Sequence, residues 1–424
     1  MTPEDLAGVR EQLEDFAAGI FAPLTRTDQR AKGQTYLRGL LLDGARKSMQ
    51  PMAERLGVDH QGLQQFVSSS TWDVSAVRSR IAAKAVEVIE PVAWVIDDTG
   101  FPKDGKASPG VARQYSGTLG KVGNCQIGVS IHAVTDHASC PLDWRLFLPG
   151  SWDTAAVENT LDEGLNEAER ERRLDAVRLQ RKRAGIPDEL GHQPKWRLAL
   201  EMIDELTEWG LRPPVVAADA GYGNNAHFRD ALSERGLSWI VQVESDLSAH
   251  PADAVPELRE YPGAGPRGKP RYRDAPVSLR QHALAAGADA TQHLTWRAGS
   301  RDQLTSRFLA IRIRPAGRKH TARLAEDGSL PEQWLIADWP QEADEPVKYW
   351  LSNLPADTAL PELVRLGKIR WRIEHDYREL KLALGLDHFE GRSFTGWHRH
   401  VTLVTAAHLF CTLLRANPKA RGAA

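Results

Sequence analysis

Two places in this 424-residue chain set carboxylates where a buried core would resist them. Trp94-Val95-Ile96-Asp97-Asp98-Thr99-Gly100-Phe101 continues an apolar, β-branched run from Val92, which predicts a buried strand over Val92 to Ile96 with two acids at its end. Val215-Val216-Ala217-Ala218-Asp219-Ala220-Gly221-Tyr222-Gly223 repeats the pattern: an apolar run, an Asp, then glycines. An ionised carboxylate at the end of a buried strand is costly unless a cation or a donor satisfies it. One such Asp alone could cap the turn that follows it. Two of them, followed by a helix that carries a Glu between cations, point to a divalent-metal site, because hard cations take carboxylate oxygens as ligands.

That helix is expected from Pro361 to about Leu384, with Leu366, Ile369, Ile373, Tyr377, Leu380 and Leu384 on one stripe. Arg370, Glu374, Arg378 and Lys381 fall within about 80° of each other on an adjoining stripe, which puts Glu374 beside the buried face with cations above and below it. Glu379 is expected on the far side, facing solvent. A second group of candidates lies between Pro102 and Gly123, read as a long loop. Its glycines let a backbone approach a ligand closely. Its cations Lys103, Lys106, Arg113 and Lys121, with Tyr115 among them, suit a phosphodiester chain. Arg46-Lys47, ahead of a pair of short helices, is a third basic point.

These residues need elements to hold them. Residues 1–90 read as helical: Leu6, Val9, Leu13, Phe16 and Ile20 share one face, and Gly57 and Asp59 mark a turn between two short helices, a helix-turn-helix pattern. Asp73 caps a last helix before Pro91. Gln126 to Thr135 alternates as a half-buried strand, Leu142 to Leu148 is its partner, and the two form a meander with Val92–Ile96. Helices over 155–186, Trp196–Trp209 and His227–Arg235 surround the Val215 strand and the strand Trp239–Val243. The order βββαβαβ predicts an α/β fold with a mixed sheet flanked by helices. From about Glu244 to Tyr349 proline, glycine and alternating residues predict a β-rich insertion, in which Leu309, Ile311 and Ile313 read as an edge strand and Arg267, Lys269, Arg271 and Arg273 as a solvated basic turn. The resulting division is 1–90, a helical domain; 91–244, the first part of a core; 245–350, the insertion; 351–415, the rest of the core with the Glu-bearing helix; and 416–424, a tail.

Composition narrows the class. Hydrophobic content of 42% with 26% charged residues fits a soluble globular protein, and the net charge of −2 leaves any polyanion contact to local patches. Cys125, Cys140 and Cys411 have no metal-ligand spacing and are odd in number, which argues against a disulfide framework and for a reducing, cytoplasmic compartment. No apolar run approaches the ~18 residues of a membrane span, and the start lacks the pattern of a secretory leader.

With these motifs in hand, the chain resembles the RNase H-like DDE transposases of bacterial insertion sequences, in the branch with a Tyr-Arg-Glu-Lys signature that is described as DDE superfamily endonucleases. The resemblance runs from about residue 36 to 415. It rests on Asp97-Asp98-Thr99-Gly100-Phe101-Pro102-Lys103, Arg113-Gln114-Tyr115-Ser116-Gly117, Asp219-Ala220-Gly221-Tyr222-Gly223 and Arg372-Ile373-Glu374-His375-Asp376-Tyr377-Arg378-Glu379-Leu380-Lys381. Arg370, Glu374 and Lys381 fit the signature, while Gly367 stands at its Tyr position. The resemblance implies an RNase H-like core with Asp97, Asp219 and Glu374 as catalytic residues that hold two Mg²⁺ ions, Mn²⁺ being able to substitute. It implies an enzyme that cleaves transposon ends and joins the 3′-OH to target DNA. The partners implied are double-stranded DNA, as terminal inverted repeats and as target, and a second copy of the chain on paired ends, in the cytoplasm at the nucleoid. Arg370, Lys381, Arg378, Lys103, Arg113, Tyr115, Lys121, Arg46 and Lys47 are the expected DNA contacts, with residues 1–90 as a DNA-binding domain. A tryptophan of the insertion, Trp296, Trp334 or Trp339, would receive a flipped base. Two other readings share these residues: a regulator that binds DNA without cutting it, and a metal-dependent endonuclease without strand transfer.

Overall fold

The computed structural model describes residues 3–162, 164–258, 270–298, 303–317, 324–325 and 327–416. Contacts divide the chain into two units: Met1–Pro91, Ile96–Arg212 and Arg372–Ala424 form the first, and Val92–Val95 with Pro213–Trp371 form the second.

The first unit opens with five helices, α1 (Pro3–Phe21), α2 (Thr27–Leu41), α3 (Met49–Leu56), α4 (His60–Ser68) and α5 (Val74–Ile89). The turn between α3 and α4 forms as its residues predict. Gly57 takes φ 66° beyond the end of α3, a left-handed conformation that favours glycine, and the Asp59 side chain accepts from the Gln61 N–H to start α4. Asp73 caps α5 in the same way, accepting from the Ser75 N–H.

Strand β1 (Ala93–Pro102) is longer than expected and runs through the two acids rather than ending before them. Thr99 and Phe101 stay buried beyond Asp97, so the strand keeps its packing past the carboxylates. The expected loop after it is largely a hairpin, β2 (Ala112–Ser116) against β3 (Lys121–Val134), with Arg113 opposite Asn124 and Tyr115 opposite Val122. Its glycine-rich turn and its polar strand residues hid the pairing. β4 (Ser139–Leu146) pairs antiparallel with the later half of β3, completing the expected meander. Helices α6 (Thr154–Glu158), α7 (Glu167–Ala184) and α8 (Lys195–Glu208) follow, and α8 packs on β3 and β4.

In the second unit β5 (Val216–Ala218) leads into a short turn of helix, α9 (Ala220–Gly223), then α10 (Ala226–Glu234) and β6 (Trp239–Val243), which lies parallel to β5. Trp94 joins this sheet through a 2.8 Å hydrogen bond from its N–H to the Val215 carbonyl. The insertion supplies β7 (Ser248–Pro251), β8 (Val277–Ser278), α11 (Leu279–Ala286), β9 (Gln292–Ala298), β10 (Gln303–Pro315), β11 (Gln333–Trp339) and β12 (Lys348–Ser352), before α12 (Leu360–Lys368). The order β5-β6-β12-β11-β10-β7-β8, with β9 also on β10, corrects one expectation. β10 is no edge strand: β11 pairs along one side and β9 and β7 share the other. Arg267 and Lys269 of the basic turn lie outside the described residues.

The expected helix over Pro361 to Leu384 is two helices. α12 ends at Lys368, and α13 (Trp371–Leu382) begins anew after Ile369 and Arg370. α14 (Phe394–Ala416) closes the first unit, packing against α2, α4, α5 and β4. It is buried nearly all round. Some of its polar residues are satisfied: Thr402, Thr405 and Thr412 donate to the carbonyls four residues back, and Arg399 donates to the Val67 and Trp72 carbonyls, while both His408 ring nitrogens lack a hydrogen-bond partner among the described residues. The whole is a mixed α/β fold of the RNase H-like kind, with helices on the sheet and a helical N-terminal region.

Candidate active site

Asp97 and Asp98 are neighbours on β1, so their side chains leave opposite faces of the strand. Their fates differ accordingly. Asp98 is half-buried and ion-paired with Lys195 of α8 at 2.9 Å. Asp97 is 7% exposed, and one of its carboxylate oxygens accepts the Asp98 backbone N–H at 2.8 Å. Of the two acids, Asp97 is the more buried and Asp98 is the one paired with Lys195. Asp219 stands at the start of α9, where its side chain accepts the Gly221 N–H at 3.0 Å, so it does cap the turn as a lone strand-end Asp would. Close packing holds that turn: a Cβ on Gly223 would lie 2.0 Å from the Gln242 carbonyl oxygen.

Glu374 lies in the first turn of α13 and is exposed. This differs from the expected place at the edge of the buried face. The buried positions of α13 are Ile373, Asp376 and Leu380, and Asp376, an acid, is 1% exposed. At 100° per residue Glu379 lies about 60° from Asp376 and Glu374 about 160° away. A hydropathy pattern counts Asp376 as a surface residue and so turns the helix the wrong way. Glu379, expected in solvent, has a side chain only 14% exposed and forms a two-pronged ion pair with Arg415 of α14. Burial pushes its carboxyl up, but the nearby His408 ring and the Arg415 guanidinium outweigh that and hold it well below the usual carboxylate range. His408 Nε2 is 3.6 Å away, beyond hydrogen-bond length, so Arg415 is the direct partner. The break before α13 also removes Arg370 from the helical register of Glu374.

Two sets of contacts fix α13 to the sheet of the first unit. At one, the Asp376 carboxylate accepts from Ser139 Oγ at 2.6 Å and from His132 Nδ1 at 3.0 Å. His132 Nε2 meets Ser130 Oγ at 3.0 Å, and Ser130 Oγ meets the Tyr377 hydroxyl at 2.7 Å. Burial lowers the His132 pKa although Asp376 opposes it, so the ring is neutral and donates from Nδ1. This serine–histidine–aspartate spacing is that of a nucleophile and its base, yet Ser130 and His132 are 0% exposed and no substrate can reach them. The network is scaffold. At the other end of the helix, Lys381 Nζ donates to Thr99 Oγ1 at 2.8 Å, the Gly100 carbonyl at 2.7 Å and Thr118 Oγ1 at 3.0 Å. Burial lowers its pKa to about 8. Lys381 therefore ties the Glu374 helix to β1 just beyond Asp97. Sequence reasoning missed Lys195, His132, Ser139 and Asp376; the last carried a signal, as a charged residue inside an apolar stripe.

The remaining candidates separate by exposure. Arg113, Tyr115 and Lys121 on the β2–β3 hairpin, and Arg378 on α13, are exposed, Tyr115 to 63%. Arg46 is exposed and paired with Glu390 at 3.1 Å. Lys103 and Lys47 turn inward. Lys103 Nζ donates to the Phe389 carbonyl at 2.7 Å, and burial lowers its pKa. Lys47 is 3% exposed with its ammonium on the Leu42 carbonyl, which withdraws it as a DNA contact. Of the three insertion tryptophans, Trp339 is buried at 4% exposure with its Nε1 on the Ala343 carbonyl, so it has no face for a base. Trp296 and Trp334 are half-buried, beneath Lys368 and Arg312 respectively. Among the described residues no group of three or more His, Cys, Asp or Glu is already gathered as a metal centre. Asp97 and Glu374 belong to the first unit and Asp219 to the second.

The chain belongs to the DDE superfamily endonuclease family, whose sequence profile matches residues 20–303. The match takes in Asp97 and Asp219 and stops short of Glu374. A probable transposase for insertion sequence element IS701, from Microchaete diplosiphon, is 27% identical over 212 residues, which are 49% of this chain and 47% of that protein. The chain thus spans about half the length of this curated relative.

Proposed function

We propose that the chain is a DNA transposase that cuts phosphodiesters at transposon ends and joins the freed 3′-OH to target DNA. The observation that supports this reading is on β1: Asp97 is a buried acid on that strand, and Lys381 ties the helix of Glu374 to the same strand just beyond it. Asp97, Asp219 and Glu374 are the residues that would act together. As a donor set they are three hard carboxylates without thiol or imidazole, which fits Mg²⁺, or Mn²⁺ in its place, and not a soft metal. Two such ions, when bound, would activate the attacking oxygen and stabilise the leaving one. The exposed cations Arg113, Lys121 and Arg378 would hold the DNA ends by their phosphates, and Tyr115 would pack on sugar or base. Water opens the first bond, the released 3′-OH attacks the second, and two copies of the chain bring paired ends together.

The test is a strand-transfer assay with labelled duplexes that carry the sequences flanking the coding region. Asp97→Asn, Asp219→Asn and Glu374→Gln should each lose Mg²⁺-dependent cutting by on the order of 10²-fold or more while still binding DNA in Ca²⁺. Cutting by Glu374→Gln at the wild-type rate would remove it as the third acid. Cut ends that never join would make the protein an endonuclease, and intact binding without cutting by the wild type would make it a regulator.

A further inference from the structure

A cavity of about 460 Å³ opens among α3, α4, the last turn of α7 and residues 388–393, all in the first unit. Its wall is polar. α4 presents His60, Gln64 and Ser68, spaced four apart and so on one stripe. Arg183 and Arg392 add two guanidiniums, both exposed and neither paired with an acid among the described residues. The acid that lines it, Glu390, is held by Arg46 at 3.1 Å.

A second observation comes from Ser48, which also lines the cavity. It stands at the N-cap of α3, where a serine hydroxyl ordinarily accepts from an N–H two or three residues on. Here the third residue is Pro51, which has no N–H, and the Ser48 side chain caps nothing. Ser48 is 8% exposed, and its hydroxyl has no hydrogen-bond partner among the described residues. The hydroxyl of this largely buried residue therefore opens on the cavity. A hydroxyl that borders a cavity beside a helix N-terminus and two guanidiniums is placed to donate to an anion.

We propose that this cavity is a phosphate site that seats one backbone phosphate of duplex DNA, through Ser48, Arg183 and Arg392. The volume exceeds what a bare phosphate needs and suits a phosphate with its sugar. Such a contact fixes the position of the duplex against α4 and reads no sequence. The inference rests on the reading of the chain as a DNA-binding protein and adds a contact away from the acids. A free phosphate ion shares the chemistry, so the test must separate the two sources.

The full-length protein and its Arg183→Gln, Arg392→Gln double variant are titrated with a fluorescent mixed-sequence duplex in EDTA over a range of salt. In parallel, thermal unfolding is followed with inorganic phosphate and with chloride at matched ionic strength. The double variant should give a slope of log K against log salt shallower by about 1 for each DNA phosphate it no longer neutralises, and should lose the rise in Tm that phosphate gives the wild type. Ser48→Ala should unfold at the wild-type temperature in chloride, because the hydroxyl has no protein partner among the described residues, and should respond less to phosphate. A wild-type slope in the double variant overturns the proposal. Loss of the phosphate response with that slope unchanged assigns the cavity to the free ion and overturns the DNA contact. Destabilisation by Ser48→Ala in chloride would mean that the hydroxyl has a protein partner and would also overturn it. A wild type that binds no duplex at any salt would instead defeat the DNA-binding reading itself.

Discussion

Glu379→Gln should destabilise the protein by about 2 kcal/mol at pH 7, although the residue reads in sequence as one more surface glutamate. Hydrogen bonds to a charged group contribute about 1.5–3 kcal/mol, while a fully exposed ion pair contributes about 0–1. The Glu379–Arg415 pair falls between these limits, since Glu379 is 14% exposed in its side chain and Arg415 is 55% exposed. The pH dependence is the sharper test. The folded carboxyl lies well below its ordinary value of 4.5, because His408 and Arg415 outweigh the opposing effect of burial. Its stabilisation is therefore complete above about pH 4.5 and is lost as pH falls towards the folded pKa. Glutamine is neutral throughout, so the gap between wild type and variant should be constant from neutral pH down to about 4.5 and then close. Urea unfolding of both proteins, followed by tryptophan fluorescence across that range, measures the gap. A cost under about 0.5 kcal/mol at pH 7, or a gap that widens in acid, would refute the partnership with Arg415.

Asp376→Ala should cost more, about 3–6 kcal/mol, because it strips two buried donors, Ser139 and His132, of a charged acceptor; urea midpoints within about 1 kcal/mol of wild type would show that the network does not anchor α13. Gly223→Ala should unfold at a clearly lower temperature than Gly100→Ala. The new Cβ meets the rigid Gln242 carbonyl at 2.0 Å in the first case; in the second it meets the Ser116 hydroxyl at 1.9 Å, which can rotate away, and the Ser116 Cβ at 2.9 Å, which needs only a small shift. Lys381 has a folded pKa of about 8 against an ordinary 10.5, so the unfolded chain holds the proton longer. Wild type should gain on Lys381→Met as pH rises between these values, and unfolding at each end of the interval checks the sign.

What could be read in advance followed the physics of each element. The glycine and aspartate around the α3–α4 turn, and Asp73 before α5, act through their own backbone, so local sequence was enough to place them. The apolar runs before Asp97 and Asp219 marked strands for the same reason. The orientation of α13 was not legible, because its most buried polar residue, Asp376, is satisfied by His132 and Ser139, which lie far away in sequence. Lys47, Lys103 and Lys381 looked like phosphate ligands, yet their ammonium groups end on backbone carbonyls or hydroxyls. A lysine's charge is visible in a sequence, and its destination is not.

The order in which the first unit acquires its parts has a consequence for newly made chains. Its strands are complete by Leu146, but the helices that cover and complete that sheet, α13 and α14, come only after the whole of residues 213–371. At about 5–20 residues per second a ribosome needs on the order of 10 s to cross that stretch. Throughout that interval Trp144 and its neighbours on β4 lack the α14 surface that buries them, which makes the emerging chain a client for chaperones. Under the proposed function the same delay would be a safeguard: the carboxylate on α13 is among the last groups to arrive, so a ribosome-bound fragment would carry Asp97 and Asp219 without Glu374.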